Sequence, residues 1–154
     1  MVVVYKPAGW LVHRTALARH ETRFVLQQLR DQIGQHVWPV HRLDQGTCGV
    51  LVFALHKEAT QKLSAAFVDH TAHKHYLALA RGWVPAQIDV DHALQPDDAP
   101  ADAPAQPAQT LLRGLAQLEW PESYDPRHPS TRFSLVEAFP TTGRRHQIRR
   151  HLKH

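Results

Sequence analysis

His41-Arg42-Leu43-Asp44-Gln45-Gly46-Thr47-Cys48-Gly49-Val50-Leu51-Val52-Phe53-Ala54-Leu55 sets a charged, glycine-bearing turn directly ahead of an uninterrupted apolar run. The run from Val50 to Leu55 suits a strand buried on both faces. Gly46 and Gly49 bracket the turn, and Val37 to Val40 reads as a short strand leading into it. Asp44 therefore stands between two strands, beside Arg42. Loops after strands display reactive groups on a rigid frame. Asp is equally favoured as a turn or cap residue, so the local sequence leaves both roles open.

Working outward, Val2 to Tyr5 is β-branched and aromatic, which suits a strand, and Pro7 and Gly9 end it. From Thr22 to Gln35 the apolar residues Val25, Leu26, Leu29 and Ile33 follow helical spacing. Thr22 or Glu21 is expected near the start of that helix and Gly34 near its end. Lys57 to Val68 reads as a second helix with Leu63, Ala66 and Phe67 on one side. His75 to Ala80 reads as a strand ending at Gly82. Residues 95–109 carry Pro96, Pro100, Pro104 and Pro107 among Ala, Asp and Gln. That composition buries little surface and predicts a mobile loop. Strands are expected at Thr110–Glu119 and Arg132–Phe139, separated by a turn with Pro121, Pro126 and Pro129. Thr142 and Gly143 open a short terminal helix with Ile148 and Leu152 on one face. About seven strands interrupted by two or three helices favour an α+β fold with a mixed or antiparallel sheet.

The 154 residues fit one domain, 1–154, large enough to fold without staples. One cysteine, Cys48, excludes an intramolecular disulfide, and beside a core strand it is expected to act as a small hydrophobe. The longest uncharged apolar candidate, Cys48 to Leu55, is strand-sized, short of the roughly 18–20 residues of a membrane helix. With Lys6 and Pro7 where a secretion signal needs its apolar stretch, the expectation is a cytoplasmic protein without membrane association. The net charge is +4, so a polyanionic partner is plausible. The charge is uneven. Residues 141–154 hold Arg144, Arg145, Arg149, Arg150 and Lys153 and no acid, whereas residues 87–109 hold five Asp and no base. Two solvated segments of opposite sign would explain this. The basic end remains the best place for phosphate contacts.

Arg149 lies next to Ile148 and three residues before Leu152, so it is expected to border the buried face. A partly buried guanidinium needs an acidic or phosphate partner, and Asp44 is one candidate. Thirteen histidines are many, and His73/His75 or His151/His154 could chelate weakly. However, no HExxH is present, and a single cysteine excludes a Cys-rich zinc site. The Walker loop, GxGxxG and GxSxG are also missing, which leaves nucleotide hydrolysis and serine hydrolysis without support.

Four motifs, in order, carry a resemblance. They are Lys6-Pro7-Ala8-Gly9 with Trp10-Leu11-Val12-His13; His41-Arg42-Leu43-Asp44 with Thr47, Gly49, Val50 and Leu51; Lys74-His75-Tyr76; and Thr142-Gly143-Arg144-Arg145-His146-Gln147-Ile148-Arg149. Together they resemble the RluA-type pseudouridine synthases over nearly the whole chain. The Gly9–His13 block and Arg30–Val37 are most similar to a tRNA-acting member whose target, uridine 65, lies in the acceptor region. Cys48 departs from the Ser common after that Thr. The family chain usually continues beyond the last helix, so a fragment trimmed at both ends is expected.

The resemblance implies a pseudouridine synthase catalytic core, with a mixed, mainly antiparallel sheet, flanking helices and an RNA cleft. It implies isomerisation of a uridine and no cofactor and no metal. By the same resemblance Asp44 is the catalytic carboxylate, Arg149 pairs with it, and Tyr76 stacks on the uracil and can serve in deprotonation at C5. Ile148 packs against the ring, and Arg42 fills the space left by the flipped base. Arg144, Arg145, Arg150 and Lys153 are the expected phosphate contacts. A stacked base must be extruded before chemistry, and a basic protein recovers that cost through phosphate contacts and stacking. The expected partner is RNA, tRNA before rRNA, bound by a monomer. The alternatives are an rRNA-directed synthase, a truncated RNA-binding module without turnover and, from the histidines, a metal hydrolase.

Overall fold

A computed structural model describes residues 1–14, 20–100 and 102–154. The chain resolves into two compact units, Met1–Ala72 and His73–His154, each with its own sheet. Residue 101, within the expected loop 95–109, lies outside the described residues.

The first unit holds strands β1 (Val2–Lys6), β2 (Trp38–Pro39) and β3 (Gly49–Ala54) and helices α1 (Val25–Ile33) and α2 (Lys57–Val68). β3 is central, antiparallel to both neighbours, with Val4 opposite Leu51 and Pro39 opposite Phe53. Its inward side chains Leu51 and Phe53 are fully buried, which stabilises by about 1.5–3 kcal/mol each. The expectation of burial on both faces fails, because Val50 is 64% exposed. β3 alternates like a one-sided antiparallel strand. The α1 start is also corrected. Phe24, in an extended conformation that bridges to Leu11, is the residue before the helix, and Thr22 and Glu21 lie outside it. Gly34 ends α1 as expected, in the left-handed conformation at φ 68° with its N–H on the Arg30 carbonyl.

The second unit holds β4 (Tyr76–Arg81), β5 (Gln87–Asp91), β6 (Gln109–Trp120), β7 (Thr131–Pro140) and α3 (Gln147–His151). The sheet order is β4-β7-β6-β5, antiparallel throughout, with a bulge between Gly114 and Ala116. One face buries Ala80, Val90, Leu112, Val136 and Ala138, against which Tyr76, Val84, Ile148 and Leu152 pack. β5 was not foreseen, because only Val90 points inward and its neighbours are polar or exposed. The described residues thus form an α+β fold of antiparallel sheets with three helices. No helix among them is long and apolar enough to cross a membrane.

Candidate active site

In the first unit the site is built by anchoring one residue and leaving the next outside. His41 accepts the Val52 N–H at Nε2 (3.1 Å), and its ring stacks on Phe67 of α2 at 4.5 Å. Burial pushes the His41 pKa down, so the neutral, accepting ring is favoured. Leu43 is buried, Arg42 is exposed and Asp44 is half-buried. The Thr47 N–H closes the turn on the Asp44 carbonyl at 3.0 Å.

The next residue, Gln45, ties this turn to the end of β1. Its carbonyl accepts from the Gly9 N–H (2.8 Å) and from Lys6 Nζ (3.1 Å). Lys6 is wholly buried, and Nζ also donates to the carbonyls of Trp10 (2.7 Å) and Pro7 (3.1 Å). Three N–H donors thus meet three carbonyls, which is what a buried ammonium needs. Burial lowers the Lys6 pKa, and attraction to Cys48 and Asp44 opposes that shift. Lys6 was not singled out from the sequence, although the alternation of β1 carries a signal. It shares the inward parity of Val2 and Val4, and a lysine there must find internal acceptors. Cys48 is exposed, which corrects its expected place in the core.

In the second unit Tyr76 lies opposite Ala138 and packs, with Ile148, against the same buried cluster. Lys74 donates to the carbonyls of Thr141 (2.9 Å) and Thr142 (3.0 Å), joining the start of β4 to the turn ahead of α3. Burial lowers the Lys74 pKa. That turn is organised by Gln147, which is buried. Its Oε1 accepts the Thr142 hydroxyl (2.7 Å) and the Arg144 N–H (2.9 Å), while Nε2 donates to the Gln109 carbonyl and to Thr110 Oγ1, both at 2.9 Å.

The cations around α3 are distributed unequally. Arg144 Nε donates to the Pro107 carbonyl (3.1 Å), and Arg150 donates to the Gln95 carbonyl (2.7 Å) and to Asp97 (3.3 Å). Arg145 pairs with Asp98 and, at 3.6 Å, with Asp97, and His146 Nδ1 meets Asp97 at 2.8 Å. The His146 hydrogen bond, then the Arg150 and Arg145 charges, hold the Asp97 carboxyl below its ordinary pKa against the opposing effect of burial. The acidic and basic segments, read as two solvated runs, therefore meet around a cleft of about 240 Å3. Loop 95–109 is further closed where Leu94 and Gln106 exchange backbone hydrogen bonds at 2.8 and 2.9 Å. Arg149 and Lys153 are exposed. Burial thus does not compel Arg149 to take a partner, contrary to the expectation that it borders the buried face; Ile148 and Leu152 take the inward positions. Within the units, the structure brings Tyr76 and Ile148 together on one core and places Arg144, Arg145 and Arg150 against one loop.

A family model for RNA pseudouridylate synthase matches residues 1–154. The chain is 49% identical over 160 residues to tRNA pseudouridine synthase C of Vibrio parahaemolyticus, covering 99% of this chain and 65% of that relative. It is 48% identical over 166 residues to the protein of the same name from Pasteurella multocida, covering 100% and 66%. The chain thus spans just under two thirds of the length of these curated relatives. The solved structure of human RNA pseudouridylate synthase domain containing 1 matches with a TM-score of 0.73 at 26% identity, covering 97% of this chain and 59% of that one. Human RNA pseudouridylate synthase domain containing 4 matches with a TM-score of 0.68 at 26% identity, covering 98% and 59%.

Proposed function

The chain belongs to the RNA pseudouridylate synthase family, and on that premise we propose that it isomerises a uridine of tRNA, in the acceptor region, to pseudouridine. The observation that carries the reading is the placement of Asp44. This half-buried carboxylate sits in a turn held through the adjacent Gln45 carbonyl by a buried ammonium, and pseudouridine formation needs a fixed carboxylate at the sugar.

The reaction breaks the C1′–N1 bond, turns the uracil and joins C1′ to C5; the C5 proton leaves to solvent and N1 takes one up, so the product is an isomer of the substrate. Heavy atoms and electrons balance within the substrate, so the scheme calls for no redox partner and no nucleotide. Asp44 acts at the sugar. Tyr76 offers a ring for stacking and a hydroxyl for the proton step, Ile148 an apolar contact, and Arg149 a charge that serves the same reaction. Arg42 is exposed beside Asp44 and supplies a planar cation for the vacated stack. Arg144, Arg145, Arg150 and Lys153 are proposed phosphate contacts, the first three after exchange of their present partners. The protein acts as a cytoplasmic monomer.

The test is tritium release from tRNA labelled at uridine C5, with the parent chain and Asp44→Asn. Release by the parent alone, with tRNA affinity retained in the variant, is the expected result. Release that persists in Asp44→Asn removes the assignment. Release from rRNA and not from tRNA moves the substrate, and stoichiometric binding without release by the parent reduces the chain to a binding module.

A further inference from the structure

At the end of β4 away from Tyr76 lies a second cleft of about 320 Å3, lined by Arg81, Trp83, His128, Ser130 and Arg132. Arg81 lies five residue steps along β4 from Tyr76, about 17 Å, so this cleft cannot serve the nucleotide at Tyr76. Trp83 remains 42% exposed although the Arg132 guanidinium stands 5.4 Å from its ring centre. A large aromatic ring is thus left accessible in the lining of the cleft.

The backbone beneath it is held with unusual completeness. The fully buried Ser134 donates its hydroxyl to the Gly82 carbonyl (2.8 Å) and accepts the Val84 N–H (3.0 Å). The Gly82 N–H reaches the Arg132 carbonyl at 2.8 Å, and Gly82 at φ 93° adopts a conformation that favours glycine. Gln117 donates to the Val84 carbonyl at 3.1 Å. Gly114 donates to the carbonyls of Pro85 and Ala86, and a Cβ at 114 would meet the Pro85 oxygen at 2.8 Å. The opposite wall is pinned by buried Thr131, whose hydroxyl donates to the Glu122 carbonyl (2.9 Å) and accepts the Tyr124 N–H (3.4 Å).

The walls carry charge for an anion beside the ring. Arg81 is exposed, and Arg132 meets Glu119 through Nε in a long contact of 3.3 Å. Glu119 also takes the Ser130 hydroxyl, and Asp125 pairs with Arg127 at 2.7 Å. Glu119 thus shares Arg132 with the cleft, and Asp125, paired with Arg127, also feels the Arg81 charge, so a phosphate would compete with these partly exposed acids for the two arginines beside the exposed tryptophan. Unpaired nucleotides are recognised by a π-face for the base and cations for the backbone, and guanidinium groups add cation–π attraction.

We propose that the Trp83 cleft binds a single unstacked nucleotide of the RNA substrate, with the base on Trp83 and its phosphate on Arg81 and Arg132. The proposal rests on the RNA reading of the chain and adds a second grip outside the reacting uridine. A platform fixed in advance loses little entropy when it is used.

The experiment is fluorescence anisotropy of labelled tRNA and of a labelled single-stranded hexanucleotide with the parent chain, Trp83→Ala, Trp83→Phe and Arg132→Gln. Tritium release is measured in parallel. Measured at a temperature where each variant remains folded, Trp83→Ala should bind about tenfold more weakly, with Trp83→Phe recovering most of the loss. Arg132→Gln should flatten the salt dependence. Equal binding by the parent and Trp83→Ala overturns the site, even if tritium release is normal. Trp83-dependent binding without tritium release keeps the site and removes the isomerase reading. Absence of RNA binding by the parent overturns the site. Titration with uridine and adenosine monophosphates forms the last arm. Trp83-dependent quenching by them, with no effect of Trp83→Ala on RNA affinity, assigns the cleft to free nucleotides and overturns the RNA proposal.

Discussion

The Thr142 hydroxyl stands 2.7 Å from Gln147 Oε1, and this contact orients a whole chain of hydrogen bonds. Thr142 Oγ1 accepts the Gln109 N–H, so its own proton goes to Gln147. The Gln147 amide donates to Thr110 Oγ1, which leaves the Thr110 proton for His151 Nδ1 at 2.9 Å. His151 Nε2 then carries the proton that it gives to the His92 carbonyl at 3.1 Å. Gln147→Leu leaves the buried Thr142 hydroxyl proton and the Arg144 N–H without their acceptor, and takes one donor each from Thr110 Oγ1 and the Gln109 carbonyl, which keep His151 and the Thr141 N–H. It should lower stability by about 2–3 kcal/mol in urea unfolding. Thr142→Val should cost less, about 1–2 kcal/mol, because Gln147 keeps its other partners.

Lys6→Met removes the donor to three carbonyls. The strain concentrates at Gln45, which leads into the residue proposed to do the chemistry. We expect a loss of about 3 kcal/mol in stability and a fall in tritium release greater than the unfolded fraction explains. Measuring both at a temperature where the variant remains folded separates the two effects.

The stability of the chain should fall as pH drops below about 6.5, the ordinary histidine value. Burial lowers the pKa of His41 and of His151, where the nearby His92, His154 and Arg150 also push it down. The unfolded chain therefore binds protons before the folded one does. Their contribution is complete above the unfolded pKa and is lost as pH falls through the lowered folded values. The carboxylates respond later, since Arg127 holds Asp125 at about 2 and His146 holds Asp97 below its usual range. Thermal melts at pH 7.5, 6.5 and 5.5 check this. His41→Gln, whose amide can still accept the Val52 N–H, should flatten the first part of the curve.

Asp97→Ala releases Arg145, His146 and Arg150 from a shared carboxylate. Each pair is partly exposed, so stability should change by less than about 1 kcal/mol. RNA affinity should rise about threefold at low salt, with a steeper dependence on salt concentration, because more cations become available to phosphates. Filter binding at 50 and 200 mM salt tests this. Unchanged affinity would mark these cations as serving the loop alone.

The parts legible in the sequence were those written in neighbouring residues. α2 runs from Lys57 to Val68 as its periodicity requires, with no Gly or Pro to blur its ends. α1 began three residues later than read, because the extended Phe24 bridging to Leu11 ends the preceding strand-like path. Val50 shows why an apolar run does not reveal how many faces are covered. The Asp97–Arg150 and Asp98–Arg145 pairs join positions about fifty residues apart, and local composition showed only that each segment was charged. Lys6 lay between these cases. Its parity on β1 was readable, but its acceptors at Trp10 and Gln45 depend on how the chain turns back.

Leu94 and Gln106 close a ring of main-chain hydrogen bonds just beyond β5 and β6. Such a closure uncouples what lies inside it from the register outside. The cost of lengthening a closed loop grows only with the logarithm of its length, so residues can be inserted or deleted inside the ring without shifting the pairing of Val90 with Thr110. The segment is therefore a cassette. It can be exchanged between relatives, or made to carry a fluorophore, while the strands that bear Tyr76 and its neighbours keep their places.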